Sequence, residues 1–523
     1  MKTFATLLLL TILLFTCAFL PLAAQMAGMP DAYFGEKGTT WIDLGEGPDA
    51  DPVMKLLEDG KILLVGAGQE DTVKGIALVR LLPNGLRDKS FGEAGKSFVP
   101  LKGKVADMAL QRDGKIVLAG REFNGKNDDF VALRLDASGK LDATFNATGQ
   151  KRLALEGTEE VQSLCIQDDG RIVLVGHTYT GSWADRNFAV VRLNPDGSED
   201  ATFGKQGRKI VDISRYDYAS GVCVQPDGRI VVAGHSRSGT FNEFVAFRLD
   251  ANGKEDLNFA SQGVFRKHAG KEHDHCVGLA ISGSRIFLAG HTKTGGASHN
   301  FDFVAMALHL NGQPDSSFGS QGLKIIDTGG VDYAADLLVQ PDGRLLVAGS
   351  SGGKFAVIRF TGQGKPDPGF GNGGIAFLDM KGGRTDFASC AELQSDGKIL
   401  VGGSAGSGVA IARLEGNPYL PGQESVLAFD WKRPVSQVRE TYMRMNLAPG
   451  FFLQVWVPGS ELIAAGTLTR VGGKSFIPVQ AAIQRHAYFA LGSDFKMTLI
   501  WDMRGGIHYY VNGVYLKTEA SAR

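Results

Sequence analysis

Between residue 31 and about residue 420 the chain is written in short apolar runs, rich in Val, Ile, Leu and Phe, each bounded by Gly, Asn or Asp. That pattern predicts β-strands joined by tight turns throughout. One unit makes it concrete: 208–213 reads as strand a, 220–225 as strand b, 229–234 as strand c and 243–250 as strand d. The Asp227-Gly228 pair between b and c is a hairpin signal, expected to place both central residues at positive φ.

The tract Gln225-Pro226-Asp227-Gly228-Arg229-Ile230 recurs in altered form, with the residue before Lys or Arg at Gly60, Gly114, Gly170, Gly228, Ser284, Gly343 and Gly397, a beat of 54–59 residues. A second motif, Asp-x-x-Phe, keeps the same beat from Asp31, Asp88, Asp142, Asp200, Asp256, Asp315 and Asp367. A fixed period of this size signals a solenoid, a propeller or an array. Four antiparallel strands repeated seven times predict an all-β fold, a seven-bladed β-propeller over residues 31–413, closed radially so that its sheet edges are protected.

The Asp-x-x-Phe-Gly, Gln-Pro-Asp-Gly-(Lys/Arg)-Ile and Phe-Ala-Val-x-Arg-Leu-x-x-x-Gly elements resemble the delta-60 repeat family of bacterial propellers over residues 31–414. The resemblance implies an exported or surface-associated protein, secreted, periplasmic or on the cell surface, and no shared catalytic residues. The fifth unit departs from the pattern, with Ile281-Ser282-Gly283-Ser284 for Gln-Pro-Asp-Gly and His309 where the other units end strand d in Arg. Features present in every unit are expected to build the blade. Arg80, Arg134, Arg192, Arg248, Arg359 and Arg413 thus read as partners of the Asp-x-x-Phe carboxylates, with Phe as an anchor between blades.

Composition adds a location and removes a function class. Lys2 followed by an apolar run to Leu20 and Ala23-Ala24 reads as a secretory signal peptide over 1–24, leaving no transmembrane segment in the mature chain. With 55 basic against 56 acidic residues, net charge −1, the chain lacks the basic face that nucleic-acid binding needs. The 70 glycines mark a turn-rich globular chain. Cys165, Cys223, Cys276 and Cys390 have no CxxC spacing. Neither zinc, another metal nor a cofactor is indicated, and free thiols are expected, with Cys165 and Cys223 at equivalent positions too far apart to bridge.

Candidate chemistry lies where the repeats differ. The a–b and c–d connections share one face, and there His177, His235 and His291 are expected to open long c–d loops (178–187, 236–242 and 292–300) in blades three to five. His273 and His275 fall in the a–b loop of blade five, and Tyr179, Trp183, Tyr216, Tyr218 and Phe241 join them. Rings that stack and imidazoles that hydrogen-bond make a ligand surface. A second set, Asp43, Asp212, His268, Asp327 and Asp379, ends strand a. If strand a is innermost, these carboxylates ring the channel mouth and supply a cation site or an acid/base pair at glycosidase spacing.

After a linker at 414–423, residues 424–523 read as a small β-rich module with strands at 451–457, 496–501 and 507–516. The stretch from Met497 to Trp501 and from Tyr510 to Tyr515 resembles the last strands of laminin-G or concanavalin-like sandwiches. The expectation is an exported, non-enzymatic protein that binds a polysaccharide or a surface protein. The alternative is a polysaccharide-active hydrolase or lyase.

Overall fold

The computed structural model describes residues 27–44, 51–155, 157–294, 300–380, 386–406 and 408–416, together with the backbone of strands between 426 and 520. The expected leader, and the expected linker beyond residue 416, lie outside the described residues. Seven four-stranded antiparallel sheets form the blades of a β-propeller. Blade four runs Arg215–Val224, Ile230–Ser238, Phe241–Leu249, Val264–Lys267 from axis to rim. Blade seven, Phe387–Leu393, Ile399–Ala405 and Gly408–Leu414, takes its outermost strand from the other end of the chain, Thr39–Ile42, with Thr39 opposite Ala412. That exchange closes the ring.

The strand order corrects one expectation. Strand a is not innermost: Arg208–Val211 pairs with Asn187–Leu193 as the outer strand of blade three, and the chain then crosses directly to the inner strand of blade four. Strands b are innermost and pack on one another around the axis. A three-residue connection suits a step from the rim of one wedge-shaped blade to the centre of the next, because blades converge toward the axis. The repeat unit of the sequence therefore straddles two blades.

Burial follows from this order. Strands c and d are covered by a blade on each side, so Ile62–Val65 and Ile230–Ala233 are buried at every position, the continuous apolar run expected of a two-sided strand. The b–c hairpin differs from expectation. Pro226 holds φ negative, only Gly228 is left-handed, at φ +82°, and Gly228 N donates to Gln225 O while Gln225 N donates to Arg229 O. This is the three-residue hairpin with glycine at its αL position.

The arginine and the Asp-x-x-Phe carboxylate pair within a blade as expected, and the arginine also reaches the following blade, which was not expected. Arg192 donates through Nε to Asp200 at 2.8 Å, lies over the Phe203 ring at 4.6 Å, and donates through Nη1 to Ala251 O of the following blade. The same arrangement recurs at Arg80, Arg134, Arg248, Arg359 and Arg413. Blade five, where His309 replaces the arginine, is repaired by Arg285, which pairs with Asp315 at 2.7 Å and donates to Gly362 O. Arg229 at the equivalent position only supplements Arg248, 3.6 Å from Asp256. Arg285→Ala is therefore expected to cost about 1.5–3 kcal/mol in urea denaturation, and Arg229→Ala about 0–1 kcal/mol.

The four described cysteines are free thiols. Burial raises all of them, Cys223 to about 11 and Cys276 to about 12. Beyond the propeller, Val426–Trp431, Phe495–Trp501, Gly506–Val511 and Val514–Ala520 form one four-stranded sheet; Thr441–Ala448, Phe451–Val457, Ile463–Thr469 and Phe476–Pro478 form another. The single strand expected at 507–516 is thus two.

Candidate functional site

One structural position organises the candidate residues. In every blade from two to seven, the residue after the strand-c glycine is paired with a residue of strand b. The pairs are Lys104 with Arg121, Glu160 with His177, Tyr218 with His235, His275 with His291, Tyr333 with Ser350 and Phe387 with Ser404. Because blades pack face to face, the strand-c member of one pair meets the strand-b member of the next. The rings of His177 and Tyr218 lie 4.5 Å apart, Tyr218 and His235 4.9 Å, His235 and His275 5.0 Å, His275 and His291 5.1 Å, and His291 and Tyr333 5.3 Å. An unbroken file of six rings runs from blade three to blade six.

This placement corrects the loop assignment. His177, His235 and His291 lie inside Ile172–Tyr179, Ile230–Ser238 and Arg285–Lys293, because c–d pairing continues past them. His275 is likewise inside Asp274–Ser282, and only His273 precedes the strand. His177 and His235 are buried. Burial pushes the His177 imidazole down to about 3, with Arg186 and Arg121 adding to it, and holds His275 near 4 and His291 near 3. His235 is lowered further, and His273 is lowered by burial too. The four histidines of the file are thus neutral at pH 7. The intervening rings of Tyr218 and His275 keep His177, His235 and His291 from sharing an ion.

The file ends at a cavity. At His177 the rings meet Glu160, 3.7 Å from Nε2, and Glu160 accepts from Arg121 at 2.8 Å. Lys104, Arg121, Glu160, Gln162, Tyr218 and Ser389 line a cavity of about 330 Å³ formed largely by inner strands, at the mouth of the channel. The Tyr218 ring is already packed against His177 and His235, with the Arg186 guanidinium 5.7 Å from its centre. The groups the cavity offers are mainly charged and hydrogen-bonding ones.

The other expected residues are placed elsewhere. Tyr179 carries the Arg186 guanidinium at 5.3 Å and opens onto a groove of about 1060 Å³ beside the outer strand of blade three, with Asp185, Arg208, Lys209 and Lys254. Tyr216 has φ +56° in a bulge of Arg215–Val224, its ring capped by Arg237 at 4.2 Å. Trp183 opens the 3₁₀ turn Trp183–Asp185, and its side chain lies outside the described residues. Asp43, Asp212, His268, Asp327 and Asp379 follow the outer strands, away from the axis. They form no ring at the channel mouth, since strand a lies at the rim.

Arg121 and Glu160 carry a positional signal in the sequence: Gly120-Arg121 aligns with Gly176-His177, and Glu160 is the strand-b residue paired with His177.

Fold and repeat together define a β-propeller repeat protein. Six of its segments, 57–91, 111–145, 167–203, 225–259, 340–370 and 394–417, match a family described as a β-propeller domain of unknown function, DUF5122. The fifth repeat, where the hairpin motif and strand-d arginine are replaced, is not among them. No curated protein matches the chain. Among solved structures, the polysaccharide lyase Uly1 is 12% identical, covering 76% of this chain and 98% of its own, at a TM-score of 0.40. Drosophila Plexin A, in complex with Semaphorin 1b, is 10% identical over 75% of this chain and 88% of its own, TM-score 0.42. The PQQ-bound aldose sugar dehydrogenase of Streptomyces coelicolor is 11% identical over 72% and 97%, TM-score 0.33. Likeness at this level carries no functional argument.

Proposed function

We propose that the protein is an exported, non-enzymatic binding protein that engages a glycan or a surface protein at the mouth of its central channel. The observation that carries this reading is the cavity where Arg121, Lys104, Glu160 and Tyr218 converge. It gathers donors of positive charge, an acceptor and a phenol in one concave site, the inventory for a hydroxylated or charged ligand. The histidine file behind it acts as a rigid, neutral wall. Export rests on the leader-like start of the chain and the delta-60 resemblance. Among the described residues no helix is long and apolar enough to cross a membrane.

Purified protein incubated with a polysaccharide panel is expected to be retained without releasing new reducing ends or unsaturated products. Arg121→Ala and Glu160→Gln are expected to weaken retention at least about tenfold, the loss of one charge-assisted hydrogen bond, with unchanged circular dichroism. Cleavage products from the wild type would instead establish the hydrolase or lyase reading.

A further inference from the structure

The passage from one blade to the next is built alike around the ring. A buried carboxylate opens strand b, Glu159, Asp217, Asp274, Asp332 or Asp386 in blades three to seven. It accepts amides of the crossover, as Asp217 does from Ile213 N at 2.7 Å and Asp332 from Thr328 N at 3.0 Å. Near it stand the residue that ends the outer strand and one at the start of strand d. These three positions are the ones to compare between junctions.

Where blade four meets five, they are Glu243, His268 and Asp274. Arg266 pairs with Glu243 at 3.0 Å, and His268 Nδ1 lies 3.4 Å from Asp274. Where blade six meets seven they are Lys354, Asp379 and Asp386, and Lys354 itself reaches Asp379 at 3.5 Å. Where blade five meets six they are Asp302, Asp327 and Asp332, with Ile325 in the place of Arg266. Among the described residues no basic side chain pairs with any of the three.

One oxygen from each of these carboxylates lies within 4.8 Å of the others. Asp302 is only 3% exposed; its Oδ2 accepts from the Thr294 hydroxyl, while Oδ1 is sealed from solvent with no hydrogen-bond partner among the described residues. A buried carboxylate with an oxygen that lacks a donor, in a group of three carboxylates, is costly while ionised, and a cation among them offsets that cost. Oxygens on opposite sides of one calcium ion, each at about 2.3–2.6 Å, are separated by about this span. Burial raises Asp302 and Asp332, and each is raised further by a neighbouring carboxylate.

We propose that Asp302, Asp327 and Asp332 bind a divalent cation of the calcium class, which does at this junction what Arg266, His268 and Lys354 do at its neighbours. The donors are all oxygen, which suits calcium or magnesium better than zinc, whose sites draw on nitrogen and sulfur. They come from two strands and the crossover before the second, not a closed cage, which favours the larger and less geometrically demanding ion over magnesium.

The test uses the whole mature chain stripped with chelator. Calcium chloride at millimolar concentration is expected to raise Tm saturably by about 2–5 °C and to bind with one-site stoichiometry in calorimetry; magnesium is expected to bind at least about tenfold more weakly. Asp302→Asn and Asp327→Asn are each expected to weaken calcium binding at least about tenfold. Asp302→Lys, which copies Lys354, is expected to abolish the calcium response while leaving the apo Tm equal or higher. No binding by the wild type, equal affinity for magnesium, or an undiminished calcium response in both Asp302→Lys and Asp327→Asn would overturn the proposal.

Discussion

Asp31→Asn is expected to lower the unfolding free energy by about 3–5 kcal/mol, the cost of breaking a buried ion pair from one side. Asp31 is fully buried and accepts from Arg413 at 2.7 and 2.8 Å and from Lys398 at 2.5 Å. Its amide also donates to Arg413 O, next to the pairing of Thr39–Ile42 with Gly408–Leu414. The substitution leaves two cations facing a neutral amide at the point where the ring closes. In an interior blade the same pair, Arg192 with Asp200, is backed by chain continuity on both sides. Asp31→Asn is therefore expected to exceed Asp200→Asn in urea denaturation, and to expose the 27–44 segment to proteolysis first. Burial alone would raise Asp31, yet Lys398, the Tyr33 amide and Arg413 hold it below its ordinary value. Its contribution is present above the unfolded pKa of about 3.9 and is lost as pH falls toward the lower folded value.

His177→Phe is expected to make the protein less acid-sensitive by the share of one buried histidine, with His235, His275 and His291 still contributing theirs. In the unfolded chain His177 takes a proton below about pH 6.5, whereas burial keeps it neutral in the fold down to about 3. The unfolded state thus binds more protons through that window, and stability falls with pH by about 1.4 kcal/mol per unit. Between pH 7 and pH 5 the wild type should lose about 2 kcal/mol that the variant keeps. Asp217 acts in the opposite sense, because burial holds it up at about 6 and the fold takes its proton first. Comparing the slopes of the two proteins, by denaturation at each pH, cancels that contribution. Equal slopes would mean that His177 is reached by water in the fold.

Much of this was legible in advance. Seven Asp-x-x-Phe tracts and seven hairpin tracts at one beat specify seven blades, since each unit repeats the same strand and turn chemistry. The arginine partners were legible for the same reason: Arg192 and Asp200 are eight residues apart on a local hairpin, so sequence spacing fixes their meeting. The repair of blade five was not. Arg285 and His309 are each visible as departures, but that Arg285 reaches Asp315 depends on strands c and d lying side by side.

The order of strands across a blade was the main thing read wrongly, and the candidate sites moved with it. A period in sequence has no marked origin: strand a precedes b in every unit whether it joins the blade before or the blade after. Only packing settles the choice, because the outer strand pairs where the wedge is widest. That choice sent Asp43, Asp212, Asp327 and Asp379 to the rim, drew Arg121 and Glu160 to the channel mouth, and put Asp302 of one blade against Asp332 of the next. Strand count, turn chemistry and the Arg–Asp–Phe fastener are local in sequence, and the sequence was sufficient for them. The histidine file, the cavity and the three-carboxylate junction are contacts between blades, and they exist only once the ring is closed.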